Sequence, residues 1–208
     1  MNRIKTIFVS FIILFGLIVA VSCRTPGTYF VGVKYAGDPE TSIQGTARIG
    51  MQSFLDQRQE QSQNFIGARV VGNNQKEKFL SSESSVADSV TSAFGEYAEK
   101  RGFEVNSISG WDFSPEGLKT VGKGLKYVVG GNIEKLRCDA TKRVGRTNMV
   151  LEIKIITYVG NVESGSVKKR PFAIKLTRTD PTFGPPSLEK FINEALAKII
   201  ANTLADLN

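Results

Sequence analysis

The residues with most chemistry to offer in this chain of 208 residues are two thiols, Cys23 and Cys138, and a charged trio, Asp56, Arg58 and Arg69. A thiol is a nucleophile, a metal ligand or half of a disulfide, according to its neighbours. The chain holds no histidine, which removes Ser-His-Asp and Cys-His triads, imidazole zinc sites and histidine general bases together. What remains is carboxylate or lysine chemistry, and nothing in the linear spacing demands two carboxylates converging as an acid and base pair. There is no Walker-type phosphate loop, and Gly122-Lys123-Gly124 is a lone Gly-x-Gly followed by a strand pattern rather than a helix. No second free cysteine accompanies Cys138 to make a thiolate metal site. The expectation is a non-catalytic protein with no cofactor and no metal. Asp56, Arg58 and Arg69 form a candidate polar site, against which stands the routine structural use of paired charges at turns.

Cys23 is the residue around which the rest is organised. Met1 to Ser22 has the three parts of an export signal: Arg3 and Lys5, then an apolar run from Ile7 to Val21 broken by Ser10 and Gly16, then small residues before Cys23. The run falls short of the roughly 20 apolar residues needed to cross a bilayer, and no basic stop-transfer cluster follows it. Ala20-Val21-Ser22-Cys23 is similar to the lipobox of bacterial lipoproteins, which implies cleavage before Cys23 and acylation of its thiol and new amine. Ala20 departs from that pattern, where a large aliphatic residue is usual three places before the cysteine. Several acyl chains, each CH2 worth about 0.8 kcal/mol on insertion, would anchor the protein in a membrane. Arg24, in place of an aspartate, resembles the sorting pattern for the outer membrane; in a single-membrane host the anchor would lie in the cell membrane.

The organisation that follows is a signal over 1–22, a lipidated cysteine and tether over 23–28, and one periplasm-facing domain over 29–208. That length suits one hydrophobic core. The 27 Lys and Arg, less Arg3 and Lys5, still exceed the 20 Asp and Glu by five. Such an excess favours anionic surfaces, but export excludes nucleic acid as the expected partner. With Cys23 acylated, Cys138 has no disulfide partner; as a strand residue it reads as a small half-buried hydrophobe.

Periodicity supplies the frame. Tyr29 to Tyr35 and Ala47 to Leu55 alternate as strands, Asp56 to Arg58 ends the second, and Phe65 to Val71 is a short apolar run. Gly37 to Gly45 is turn-rich, and Gly72 to Ser84 reads as a polar loop. Ser85 with Asp88 makes a capping box before a helical stripe of Val86, Val90, Ala93, Phe94 and Tyr97, which Gly102 stops. Phe103 to Ile108 is a strand. Ser114-Pro115 opens a short helix with Leu118 and Val121 inward, and Trp111 and Phe113 just before it read as a core plug. From Lys126 a three-stranded meander is predicted: Lys126 to Cys138 with a bulge at Gly130-Gly131, a strand carrying Met149, Leu151, Ile153, Ile155 and Val159 on one face, and Val167 to Arg178. Ser187 caps a long closing helix with Leu188, Phe191, Ile192, Ala195, Leu196, Ile199 and Leu204 inward. The fold class is α+β, a two-layer sandwich with helices packed on one face of a largely antiparallel sheet. Two basic clusters, Lys142/Arg143/Arg146 and Lys168/Lys169/Arg170, mark opposite ends of the middle strand, some 35 Å apart at about 3.3 Å per residue.

Asp56-Gln57-Arg58 at a strand end, Ile66-Gly67-Ala68-Arg69 after it, and a helix ending in Arg101-Gly102-Phe103-Glu104-Val105 resemble the YajG-like family of bacterial lipoproteins over roughly Tyr29 to Leu207. The resemblance implies an envelope accessory or adaptor protein without established catalysis, and it brings no active-site residues. The expected partners are a membrane through the lipid anchor and an envelope protein. The alternative is a carrier or ABC-transport auxiliary lipoprotein holding an apolar ligand such as a lipid.

Overall fold

The computed structural model describes residues 27–38 and 47–207. The leader 1–22, Cys23, most of the tether and part of the turn-rich stretch after Gly37 lie outside the described residues. In chain order come strands β1 (Thr28–Val31), β2 (Arg48–Gln52), β3 (Leu55–Asp56), β4 (Phe65–Val70) and β5 (Lys76–Ser81). Helix α1 (Val86–Lys100), strand β6 (Glu104–Ile108) and helix α2 (Pro115–Val121) follow. Three long strands, β7 (Tyr127–Arg143), β8 (Arg146–Asn161) and β9 (Ser166–Asp180), lead into helix α3 (Pro185–Leu204).

β7 organises the sheet. One of its edges pairs antiparallel with β8 from Tyr127↔Asn161 to Arg143↔Arg146, and β8 pairs likewise with β9. Along the other edge three short strands lie parallel to it in succession, β2 at Tyr127 to Val129, β3 at Asn132 and Ile133, and β4 at Ala140 and Thr141. β6 extends β2, while β5 and then β1 extend β4. The meander is antiparallel as expected, but five of the eight pairings among the described residues are parallel. The α+β class therefore stands, with a mixed sheet curled like a half barrel in place of the expected two-layer sandwich on a largely antiparallel sheet.

Helices α1 and α3 cover the inner face. Ser85 Oγ accepts from the Asp88 N–H at 3.0 Å and donates to its carboxylate at 2.7 Å, so the serine caps the helix with its hydroxyl, rather than its N–H, meeting Asp88, and the amphipathic stripe is buried from Val86 to Ala98. Gly102 takes φ 97° and ends the helix. α3 opens at Gly184 with Pro185 and Pro186 in its first turn, earlier than expected. Ser187 sits inside that turn, and its hydroxyl donates to the Gly184 carbonyl at 3.0 Å. Opposite these helices Leu151, Ile153 and Ile155 of β8 are wholly buried, each worth about 1.5–3 kcal/mol. α3 is held on both flanks. Its Glu189 and Asn193 accept from the N–H groups of Gly32 and Lys34 at 2.8 and 3.1 Å, while Arg178 of β9 pairs with Glu194. Those α3 side chains, with Glu96 of α1 accepting from the Tyr35 N–H at 3.1 Å, stand in for a strand partner at Gly32, Lys34 and Tyr35, and β1 stops at Val31 although Val33 and Tyr35 keep the buried face.

Not every helix lies on that face. Trp111, Leu118 and Val128 form a second small core with Phe113, Tyr158 and Leu125. Val128 has the opposite parity to Val129 of the main core, so α2 packs on the outer side of the sheet. The plug at Trp111 is buried, its indole N–H donating to the Ser114 carbonyl at 3.0 Å. Two further expectations are corrected. The bulge in β7 falls between Ile133 and Lys135; Gly130 and Gly131 answer to close packing instead, since a Cβ on Gly131 would stand 2.4 Å from the Ile156 carbonyl oxygen. The stretch read as a loop after Gly72 contains β5, whose Lys76, Glu77 and Lys78 disguise a strand that buries Phe79 and Ser81.

Candidate functional site

Asp56 and Arg58 are brought together, with the guanidinium buried and the carboxylate half-buried. Arg58 Nε donates to Asp56 Oδ1 and Nη2 to Oδ2, both at 2.8 Å, a bidentate pair in which the guanidinium side chain is 2 % exposed. The remaining donors go to main-chain carbonyls, Phe65 at 2.8 Å, Gln63 at 2.8 Å and Leu136 at 3.3 Å. Burial pushes the Asp56 carboxyl up, but the hydrogen bonds and charge of Arg58 outweigh it and leave the group below the usual carboxylate range. Every donor on this guanidinium is spent on tying the loop after β3 to β4 and β7.

Arg69 belongs to a different constellation. It lies opposite Ala140, four residues along β7 from Leu136, or roughly 13 Å at 3.3 Å per residue. Its Nε donates to Glu77 at 2.6 Å, Nη2 to the Tyr29 hydroxyl at 3.1 Å, and its plane lies 4.1 Å from the Phe183 ring centroid. This clamp joins β1, β4, β5 and the loop before α3. Cys138 is wholly buried, and burial first, then the Asp139 charge, pushes its thiol up to about 12. It is an inert core residue, as its strand position suggested. Among the described residues no group of three or more Cys, Asp or Glu could hold a metal ion.

Two surface features remain. On the outer face of the meander a cleft of about 290 Å3 gathers Glu60, Lys135, Arg137, Asp139, Val150 and Glu152. Its charges answer one another. Arg137 meets Asp139 at 2.7 Å and Glu60 at 3.2 Å, and Glu152 accepts from Lys135 and from Lys175. Those lysine hydrogen bonds hold the Glu152 carboxyl down to about 2.

The second is a groove of about 330 Å3 between α1 and the edge strand β6. Met51, Val105 and Ser107 line the strand side, and Thr91, Ser92, Gly95, Glu96 and Glu99 the helix side. β6 pairs with β2 alone among the described residues. The Glu104 N–H donates inward to Ala47 at 3.0 Å, so parallel alternation turns the N–H and C=O groups of Val105 and Ser107 outward. Two acceptors and two donors thus face solvent beside a cleft whose helix wall carries two carboxylates. No sequence pattern joins these residues; the one available signal was Gly95, a glycine in mid-helix.

No family model and no curated protein matches the chain. Among solved structures it is similar to the Xanthomonas campestris protein XCC0632 of family DUF330, at TM-score 0.54 and 10% identity over 85% of this chain and 91% of that one. It is also similar to an uncharacterized protein, at TM-score 0.50 and 11% identity over 88% and 99% of the two chains. A looser likeness, TM-score 0.42 and 10% identity over 75% and 99%, is to the lipoprotein GNA1162 from Neisseria meningitidis. At such identities the shared property is the fold. Among the described residues no helix is long and apolar enough to cross a membrane.

Proposed function

We propose that the chain is a YajG-like lipoprotein, anchored through Cys23 in the outer membrane, which acts without catalysis as an adaptor for another envelope protein. The observation that supports this reading is the open edge of β6 beside its groove. An extended segment of a partner can add to Val105 and Ser107 by main-chain hydrogen bonds and place alternate side chains in the cleft. Glu96 and Glu99 suit basic side chains there. A carrier for an apolar ligand would need an apolar cavity of several hundred Å3, whereas the outer-face cleft gathers mainly charged side chains and the β6 groove sets Met51 and Val105 against a helix wall bearing Thr91, Ser92, Glu96 and Glu99. A photo-crosslinking amino acid placed at Ser107 in the full chain, in intact cells, tests the reading. A single envelope protein crosslinked there supports the adaptor. Lipid co-purifying with the protein, with no protein adduct, would replace it with the carrier.

A further inference from the structure

The turn joining β7 to β8 is built unlike a solvated hairpin. Val144 at its tip is fully exposed, the most exposed of the large apolar residues described, and Gly145 takes φ 70° to close the turn. The pair that closes it sets Arg143 directly opposite Arg146, with Lys142 beside them. Like charges placed opposite each other weaken a hairpin. None of the three cations belongs to an ion pair among the described residues. The basic cluster at the other end of β8 differs, because Lys168 and Arg170 both reach Asp206.

Strand direction places this tip at the same end of the sheet as the point where the amino-terminal segment enters, three strands away. β7 and β4 run the same way, with Arg69 opposite Ala140. β5 runs back from Lys76 opposite Val70, and β1 follows β5 with Thr28 level with Lys78. The Gly27 carbonyl accepts from the Lys78 N–H at 3.1 Å. The chain therefore enters the sheet at the same end at which the β7–β8 hairpin leaves it. Strand twist, about 20–25° per step, splays the two directions without carrying the tip to the other end. The tip extends four register steps past the level of Ala140, roughly 13 Å along β7. The five residue steps from Cys23 to Thr28 reach at most about 17 Å.

We infer that the hairpin Lys142–Arg146 is a membrane contact: Val144 enters the headgroup boundary of the bilayer that holds Cys23, and Lys142, Arg143 and Arg146 bind anionic phospholipid headgroups. A tether this short holds the entry end of the sheet against the bilayer, and the hairpin bridges a gap of its own length. The headgroups supply the negative charge that Arg143 and Arg146 lack, and the contact fixes the domain's orientation so that the β6 groove, at the far end of β7, points away from the membrane. This inference rests on the lipid-anchor reading above.

The test uses the full mature chain, purified from membranes and reconstituted into phosphatidylcholine vesicles with or without phosphatidylglycerol. Mass spectrometry first reads the acylation of Cys23. Val144→Cys carries a polarity-sensitive fluorophore, and Glu163→Cys, at the opposite hairpin, carries the same label as a control. The expected result is a blue shift and quenching by brominated lipid at position 144 alone, stronger in anionic vesicles. Each of Lys142→Gln, Arg143→Gln and Arg146→Gln lowers the anionic preference about fivefold, as for one cation near a charged surface. A label at 144 that stays in water on a protein acylated at Cys23 overturns the inference and leaves the anchor standing. Equal burial in both lipids, unaffected by the Gln variants, overturns the headgroup recognition. A chain from membranes with unmodified Cys23 overturns the anchor and the inference with it.

Discussion

The guanidinium of Arg101, at the end of α1, donates from Nη1 to the carbonyl oxygen of Leu204 at 2.6 Å, and from Nη2 to that of Leu207 at 2.7 Å. Arg101 is 4 % exposed, and its partners are main-chain oxygens at the end of α3 rather than a carboxylate. A cation suits that position because the last carbonyls of a helix are unpaired and carry partial negative charge. Its charge is thereby spent on joining the two long helices.

Arg101→Ala is accordingly expected to cost about 2–4 kcal/mol, since it strands two buried acceptors and removes a charge-assisted bond. Arg101→Lys keeps the charge but not the fork, and recovers only part of the loss. Urea unfolding midpoints measure both. A shift below about 0.5 kcal/mol for the alanine variant would place the helix junction elsewhere.

Arg58→Ala is a harsher change. It leaves the half-buried Asp56 without its counter-ion and unpairs carbonyls of Gln63, Phe65 and Leu136. The expected cost is about 3–5 kcal/mol, the usual consequence of breaking one half of a buried ion pair. The double change Asp56→Asn with Arg58→Met should be milder than Arg58→Ala alone. Differential scanning calorimetry of the three proteins decides whether the pair is structural, as its geometry requires, or a binding site whose loss leaves stability intact.

The features legible in the sequence were local. Ser85 and Ser114 announce their helices because a cap is a contact between residues three apart, and β8 shows its buried face because its inward residues alternate without interruption. What stayed hidden was non-local. β2, β3 and β4 line up in parallel along one edge of β7, and nothing in any of them encodes that shared neighbour. The charges of β5 face outward or pair with Arg69, so the strand reads as a loop. Asp56 and Arg58 were legible as a pair two residues apart, whereas Arg69 joins Glu77 and Tyr29 from elements the pattern could not connect. The β6 groove was invisible because each half of it is ordinary surface until the two halves meet.

The outer-face carboxylate Glu152 gives a pH signature with a definite sign. The hydrogen bonds from Lys135, and then from Lys175, hold its folded-state pKa down to about 2, below the roughly 4.3 of a free glutamate. Its contribution is therefore present above about pH 4.3 and is lost as pH falls from there through about 2. Glu152→Gln should flatten this acid limb of the stability curve by lowering stability modestly above about pH 4.3 while leaving it nearly unchanged near pH 2. Chemical denaturation between these two pH values compares the proteins, and high salt should shrink the difference because the pair faces solvent.

Gly95 links stability to the proposed docking groove. It lies inside α1, where glycine costs roughly 0.5–1 kcal/mol against alanine, and its backbone is helical rather than left-handed. A Cβ there would meet only Val105 Cγ1, at an ordinary 3.9 Å. Packing does not require the glycine, so Gly95→Ala should stabilise the protein by roughly 0.5–1 kcal/mol in urea unfolding. Its position in the helix wall of the cleft gives a reason for keeping it: a bare backbone lets an extended segment on β6 come close to α1. Gly95→Leu, which projects into the groove, should then abolish crosslinking from Ser107 while the fold persists. If the leucine variant is folded and crosslinks as before, the segment does not enter between α1 and β6, and the partner uses another edge.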